Sequence, residues 1–170
     1  MSTPEFFTHS KPLWQALTAA QREQCIAGFY SSAKDETESE RAGLDAMLMQ
    51  FLKLRPATAE NMPIAKKAQH LSRFTNMEPI LVLPILGEYH LRCQGALMGA
   101  FLDGLGIKHE NGHVDDFPKD APAPEKLKEA ATAMKGKFSA DDALLYFRTL
   151  YVSDSTYWAG LPGAWSNFAG

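Results

Sequence analysis

Residues 88–105, with the sequence EYHLRCQGALMGAFLDGL, decide the fold of this chain. On a helical wheel at about 100° per residue, five polar or small residues of this stretch fall in one narrow stripe. The stripe consists of Glu88, Arg92, Gly95, Gly99 and Asp103. Nearly all other positions are apolar, and a helix that is apolar almost all round is buried on most sides. We therefore expect a long, mostly buried central helix over about 77–105, kinked near its start by Pro84.

Two glycines in the middle of this predicted helix need an explanation, because each costs about 1 kcal/mol relative to alanine. Close approach of a neighbouring helix at Gly95 and Gly99 would offset that cost, and a shallow wall for a ligand is the alternative. On the same stripe, Glu88 and Arg92 have the i, i+4 spacing of a helical ion pair. The stripe therefore predicts close packing and an ion pair, with ligand binding as the second interpretation.

The opposite side of the predicted helix carries His90 and Cys93. A histidine on an apolar face is typical of a core residue with a satisfied hydrogen bond, and a ligand or cofactor contact is the alternative. Cys93 is interpreted as a small buried hydrophobic residue, because the neighbouring cation, Arg92, points elsewhere. Together with Glu88, these residues are the candidate ligand-binding group of the sequence.

Helical spacing also dominates the rest of the chain. Capping residues followed three positions later by Gln, Glu or Asp predict helix starts at 18–21, 37–40 and 139–142. No stretch alternates convincingly with the period of a strand. We expect an all-α, single-domain bundle of roughly five to seven helices over residues 1–152. The tail, 153–170, has no period, and we expect it to be irregular and docked on the same domain through its aromatic residues.

Composition excludes several classes of protein. The 170 residues include 17 basic and 20 acidic residues, for a formal net charge of −3. A nucleic-acid partner is therefore not expected, because phosphate neutralisation supplies most non-specific affinity.

A membrane span needs about 18 continuous apolar residues, and the longest apolar run, 80–86, contains a proline. The first seven residues lack the basic and apolar regions of a signal peptide, and two cysteines make no disulfide framework. We expect a soluble, cytoplasmic protein without a membrane partner.

The segment His109-Glu110-Asn111-Gly112-His113 matches the H-E-x-x-H motif of zinc peptidases. In that motif a helix places both imidazoles on one face toward the metal, with the glutamate as general base. Here the motif follows a helix end marked by two glycines, and Asn-Gly is a strong signal for a tight turn. In such a turn Glu110 faces His113, and the two histidines point to opposite faces. We therefore predict a turn, and His109, Glu110 and His113 are the candidate residues for a divalent transition metal.

Residues 53–73 form a basic segment. It contains Lys53, Arg55, Lys66, Lys67 and Arg73 against a single acid, Glu60. A solvated surface is the first interpretation, on a helix whose buried side is expected at Ile64, Ala68 and Leu71. The alternative is a regulator that binds a polyanion through this segment.

Two further functional hypotheses follow from the sequence. The favoured one is a non-catalytic helical protein that binds a protein partner or itself, with a docking patch near Trp158 and Trp165. The other is a small-molecule-binding or metal-dependent helical enzyme with a site near His90 or near His109 and His113. The favoured hypothesis needs no cofactor.

Overall fold

The computed structural model describes residues 4–169, and within them the protein is all-α, as the sequence predicts. These residues form ten α-helices, one short 3-10 helix, Lys34–Glu36, and one isolated β-bridge. The α-helices are α1 (Ser10–Ala16), α2 (Ala19–Tyr30), α3 (Glu38–Leu52), α4 (Pro56–Asn61), α5 (Ile64–Leu71), α6 (Pro79–Cys93), α7 (Gly95–Leu105), α8 (Pro124–Met134), α9 (Ala140–Ser153) and α10 (Leu161–Ala169). None of these helices combines the length and the apolar character that a bilayer crossing requires.

The described residues form two compact units. The N-terminal unit is Ser10–Cys93 and contains α1 to α6. The C-terminal unit combines residues 4–9 with residues 94–169 and contains α7 to α10. In the order of the sequence, the N-terminal unit is therefore an insertion between two parts of the C-terminal unit.

Within the N-terminal unit, α2 contacts both α5 and α6, and α3 contacts α4, α5 and α6. The guanidinium of Arg22 on α2 is buried. It donates hydrogen bonds to the backbone carbonyls of Trp14, Leu17 and Ser72 at 3.3, 2.8 and 2.7 Å. Because these carbonyls lie at the ends of α1 and α5, one side chain ties α2 to two neighbouring helices.

Within the C-terminal unit, α8 packs against α7 and α10, and α9 packs against α10. Helices α7 and α8 approach closely at Gly104, where an added Cβ atom would lie 2.9 Å from the Cβ atom of Ala130. Residues 4–9 lie along α9. There, Arg148 Nε donates to the carbonyl of Glu5 at 2.8 Å.

The prediction of one long central helix over about 77–105 is wrong. The helical run is divided into α6 and α7 at Gln94, whose φ of −125° and ψ of 26° are not helical. Gly95 consequently occupies the first position of α7 rather than a helix interior, where glycine would cost about 1 kcal/mol. Both helices bury several large apolar residues, so the hydrophobic pattern continues across the break and does not reveal it.

The helix count and the tail also differ from expectation. The described residues contain ten α-helices, more than the predicted number, partly because Pro56–Asn61 form α4, which was not predicted. The tail at 153–170 is not irregular, since Leu161–Ala169 form α10. Its buried residues are Leu161, Ala164, Trp165 and Phe168. These positions have the spacing of one helix face, which the glycines and the proline of the segment obscure.

All three predicted helix starts are confirmed, and two of them have the predicted side-chain cap. At 18–21 both reciprocal hydrogen bonds of a capping box form, and at 139–142 the serine hydroxyl accepts a hydrogen bond from the aspartate backbone N–H at 3.1 Å. At 37–40, Thr37 is the N-cap residue of α3, but its side chain makes no capping hydrogen bond. Its hydroxyl oxygen instead accepts a hydrogen bond from Arg41 Nε at 2.8 Å.

Candidate functional site

The predicted turn at residues 109–113 is confirmed. Glu110 and His113 exchange two backbone hydrogen bonds of 2.9 Å across an isolated antiparallel bridge. The two residues at the tip have positive φ values, 50° for Asn111 and 89° for Gly112. This backbone is the one that Asn-Gly favours in a tight hairpin, so the H-E-x-x-H match does not lie on a helix.

The two histidines of the motif contact different groups. His109 Nδ1 accepts a hydrogen bond from the Gly112 backbone at 3.1 Å, so its proton lies on Nε2, 2.9 Å from an Asp103 carboxylate oxygen. His113 Nε2 lies 3.3 Å from Asp115, and both side chains are mostly exposed. Among residues 4–169 no group of three or more His, Cys, Asp or Glu side chains is arranged around a common metal position. The geometry therefore does not bring His109, Glu110 and His113 together as ligands.

The glycines of the α7 stripe allow this turn to pack on the helix. An added Cβ atom on Gly99 would lie 3.1 Å from the His109 ring, and one on Gly95 would lie 3.3 Å from the Asn111 carbonyl. On the turn itself, a Cβ atom on Gly112 would lie 2.8 Å from the Cβ atom of Met98. The predicted close approach is therefore present, but the element that approaches this stripe is a turn rather than a helix.

The predicted ion pair between Glu88 and Arg92 is confirmed, with 3.6 Å between Oε2 and Nε. Arg92 Nη2 also lies 3.5 Å from Glu36 Oε2. The guanidinium is about half exposed, and exposed pairs of this kind contribute about 0–1 kcal/mol. Glu88 and Arg92 thus form a small ion-pair network with the 3-10 helix of the N-terminal unit.

His90 and Cys93 have opposite environments. His90 is 2% exposed, and burial lowers its pKa to about 3, so the imidazole is neutral at physiological pH. Cys93 is exposed, which contradicts the prediction of a buried residue. Partial desolvation nevertheless raises the pKa of its thiol, and a protonated thiol is a poor nucleophile.

The two tryptophans proposed for a docking patch are in the core. Trp158 is 2% exposed and Trp165 is 6% exposed. A partner cannot contact them without a change in the fold, so the predicted location of the docking patch is wrong.

The N-terminal unit contains a cavity of about 350 Å³ with six charged residues in its lining. It lies among α2, α3, α4 and α5, with the 3-10 helix also contributing to its wall. Its lining residues are Tyr30, Lys34, Glu38, Arg41, Ala42, Asp45, Met49, Pro56, Glu60 and Lys67. The volume lies in the lower part of the range of small-molecule sites.

Three polar side chains converge at one wall of the cavity. Lys67 is 5% exposed, and its Nζ lies 2.8 Å from Asp45 Oδ1. Tyr30 donates its hydroxyl proton to the same oxygen at 3.1 Å. Burial, followed by the charge and hydrogen bond of Asp45, raises the pKa of Tyr30 far above its usual range. The phenol is therefore a permanent donor, and the carboxylate accepts two bonds at one oxygen.

Arg41 forms a second part of the wall. Its Nε donates to Thr37 Oγ1 at 2.8 Å, and its Nη2 donates to the carbonyls of Tyr30 and Ser32 at 3.0 and 2.6 Å. The cations of Arg41 and Lys67 also lie 5.4 and 5.1 Å from the centre of the Tyr30 ring. These contacts hold both cations beside the cavity at fixed positions.

The sequence contains one signal for this site. Lys67 lies in α5 at the i+3 position of the predicted apolar stripe Ile64, Ala68 and Leu71, where a lysine is buried if the stripe is buried. The structure buries Lys67, Ala68 and Leu71 and leaves Ile64 exposed. The basic segment at 53–73 therefore presents one cation fewer to solvent than its sequence suggests.

The sequence matches none of the protein-family models, curated proteins or solved structures with which it was compared.

Proposed function

We propose that the protein binds a small organic anion in the cavity of the N-terminal unit. The observation that carries the proposal is Arg41. Its guanidinium lines the cavity, and among residues 4–169 it forms no ion pair with a carboxylate. Its Nη1 makes no hydrogen bond with the described residues, so this nitrogen can donate to a ligand.

The charge of the inner wall supports the same conclusion. This inner wall is formed by Tyr30, Arg41, Asp45 and Lys67. It contains two cations, Lys67 and Arg41, and Asp45 neutralises Lys67. At the rim, the exposed side chains of Lys34 and Glu60 pair with each other at 3.6 Å. The inner wall therefore keeps a positive charge, which complements a carboxylate or phosphate group.

The burial of these charges also favours binding over a purely structural role. Removing an ion from water costs several kcal/mol even after relaxation, so a buried pair is weak evidence for stability. Small-molecule sites are concave and hold a few polar groups at fixed positions, and the charged groups beside this cavity fit that description. The Lys67–Asp45 pair is buried next to a space large enough for a ligand. Ligand binding would therefore explain why these charges are buried there.

A titration of isotope-labelled protein with propionate tests the proposal, with backbone amide resonances as the readout. We expect saturable shifts in α2, α3 and α5. Arg41→Gln keeps an amide donor for the neighbouring carbonyls but removes the charge, and it should weaken binding about tenfold. Arg55→Gln, an exposed residue outside the cavity, is the matched control and should bind normally.

A second variant covers the case in which Arg41→Gln fails to fold. The variant Arg41→Lys keeps the positive charge but removes Nη1 and the planar fork of donors, so it should also weaken propionate binding. Absence of saturable shifts in the wild-type protein, or equal binding by all variants, would overturn the proposal.

Self-association is a second candidate, and the exposure of Phe51 is the observation that favours it. Phe51 is 60% exposed, and its ring packs against the tilted ring of Phe74, with 4.5 Å between the ring centres, beside a groove of about 180 Å³. Both phenylalanines have a basic residue close by in the chain, Lys53 and Arg73. The exposed acidic residues at 35–38 provide the complementary charge, so the proposed partner is a second copy of this chain.

Sedimentation at increasing protein concentration tests this candidate. We expect a concentration-dependent dimer that Phe51→Ser disrupts and that salt weakens. Exposed Ile80 provides the control variant, Ile80→Ser, which removes a comparable apolar side chain outside the groove. A monomer at all concentrations would exclude the candidate.

We also infer a cytoplasmic location. Cys93 is exposed and lies outside any disulfide, and exposed thiols persist in reducing compartments. Alkylation in intact cells should modify Cys93 fully, whereas a thiol found oxidised would contradict the inference.

A further inference from the structure

The charged residues that line the cavity do not all pair with each other. Six of them carry charge: Lys34, Glu38, Arg41, Asp45, Glu60 and Lys67. Two ion pairs form, Lys67 with Asp45 and Lys34 with Glu60. Within the described part of the chain, Arg41 and Glu38 form no ion pair. The lining therefore keeps one cation and one anion available for a ligand.

These two residues lie next to each other on α3. They have i, i+3 spacing, which places their Cβ atoms about 5–6 Å apart on one helix face. Arg41 is half-buried and fixed by its contacts with Thr37 and the carbonyls after α2, whereas Glu38 is exposed. A ligand that contacts both residues would have its anionic group toward the inner wall and a cationic group toward the mouth.

The rest of the lining is apolar. Ala42 and Met49 of α3, Pro56 of α4 and the ring of Tyr30 complete the wall. Ala42 follows Arg41 directly, and Met49 lies two helical turns further along α3. A ligand with a short apolar chain would cover this surface and gain the free energy of its burial.

We infer that the ligand is a zwitterion with an apolar chain, and that an apolar α-amino acid has the fitting chemistry. Its carboxylate binds Arg41 beside Lys67, its ammonium group faces Glu38, and its side chain lies against Met49 and Pro56. The inference rests on the proposed function, because it assigns a ligand class to the same cavity. It adds a role for Glu38 that binding of a simple anion does not require.

Three probes that share the branched side chain of leucine separate the contributions of the two charged groups. Leucine has both groups, 4-methylpentanoate lacks the ammonium group, and isopentylamine lacks the carboxylate. We expect leucine to bind at least about threefold more tightly than 4-methylpentanoate and isopentylamine not to bind measurably. Calorimetry or the amide titration described above supplies the dissociation constants.

The variant Glu38→Gln tests the ammonium contact directly. It should remove the advantage of leucine over 4-methylpentanoate and leave the affinity for 4-methylpentanoate unchanged. Glu40→Gln is the matched control, because Glu40 also lies in the first turn of α3 but does not line the cavity. The control should keep the full advantage of leucine.

The outcomes distinguish the inference from the proposed function. If 4-methylpentanoate binds as tightly as leucine, or if Glu38→Gln and Glu40→Gln behave alike, the zwitterion inference is wrong and anion binding stands. If neither carboxylate binds, both are wrong. If leucine binds with the expected advantage and Glu38→Gln removes it, both are supported.

Discussion

The turn at residues 109–113 and the cavity of the N-terminal unit use polar residues in opposite ways. In the turn, both ring nitrogens of His109 already have partners, the Gly112 backbone and Asp103. In the cavity, Arg41 and Glu38 keep donor and acceptor groups that no described residue pairs with. The polar groups of the turn therefore stabilise its packing on α7, whereas Arg41 and Glu38 line a space that a ligand could occupy.

The difference shows why a motif alone is a weak guide to a site. The H-E-x-x-H match has the residue types of a metal site, but its backbone directs the side chains to separate partners. The cavity has no sequence motif, because its residues come from different helices. The cavity is distinguished by a buried ion pair, by two charged residues that form no ion pair within the described part of the chain, and by a volume large enough for a ligand. The following experiments test the contrast between the turn and the cavity.

The largest effect should come from breaking the buried ion pair of the cavity. Lys67→Met leaves Asp45 partly buried without its cation, and breaking such a pair costs about 3–5 kcal/mol in the free energy of unfolding. Adding Asp45→Asn should recover much of that loss. Denaturant unfolding measures both, and Lys66→Met at the exposed neighbouring position should stay within about 0.5 kcal/mol of wild type. Equal effects of Lys67→Met and Lys66→Met would show that the pair is not buried in solution.

The next largest effect should come from the tip of the turn. Gly112→Ala places a Cβ atom on a residue with a φ of 89° and 2.8 Å from the Cβ atom of Met98, so we expect a loss of about 2–3 kcal/mol. Gly106→Ala, at a φ of 70° with open space around it, should cost about 1 kcal/mol. Denaturant unfolding of both variants separates the steric contribution from the backbone one. A smaller loss for Gly112→Ala than for Gly106→Ala would contradict close packing of the turn on α7.

Acid should destabilise the protein through His90. The unfolded imidazole binds a proton near its ordinary pKa of about 6.5, whereas the buried one does so only at about 3. The unfolded state therefore binds more protons between these values, and stability falls by about 1.4 kcal/mol per pH unit as the pH drops below 6.5. Unfolding of His90→Gln across this pH range should show a smaller slope than wild type. An unchanged slope would mean that other groups dominate acid unfolding.

The smallest effect should come from zinc. Because His109 and His113 contact separate carboxylates, one equivalent of Zn²⁺ should not shift the midpoint of thermal unfolding. The measurement belongs in a Cys93→Ser background, which removes the exposed thiol as a competing ligand. Stoichiometric binding that His109→Gln abolishes would show that the turn rearranges around a metal, and the contrast with the cavity would then fail.

Local signals explain most of what the sequence could predict. Asn111-Gly112 favours a turn wherever it occurs, and the capping residues at 18–21 and 139–142 act within one helical turn. The helix start at Thr37 was predicted correctly, but the capping bond was not, because Arg41 one turn later in α3 donates to the Thr37 hydroxyl. The break at Gln94 has no local signal stronger than the glycine that follows it.

The cavity could be predicted only in part. Tyr30, Asp45 and Lys67 are separated by 15 and 22 positions in the chain, and nothing in their spacing indicates that they meet. The position of Lys67 on the buried stripe of α5 was the available clue. A charge on an apolar face requires a partner, but the sequence does not say which residue supplies it.

The insertion of Ser10–Cys93 between two parts of the C-terminal unit has a consequence for folding during synthesis. Residues 4–9 leave the ribosome before the N-terminal unit, yet their partners on α9, Arg148 and Tyr151, leave it after that unit. The N-terminal unit is continuous and can fold as soon as residue 93 has emerged. Residues 4–9 must therefore wait without these partners until α9 has been synthesised, and contacts so distant in sequence form slowly.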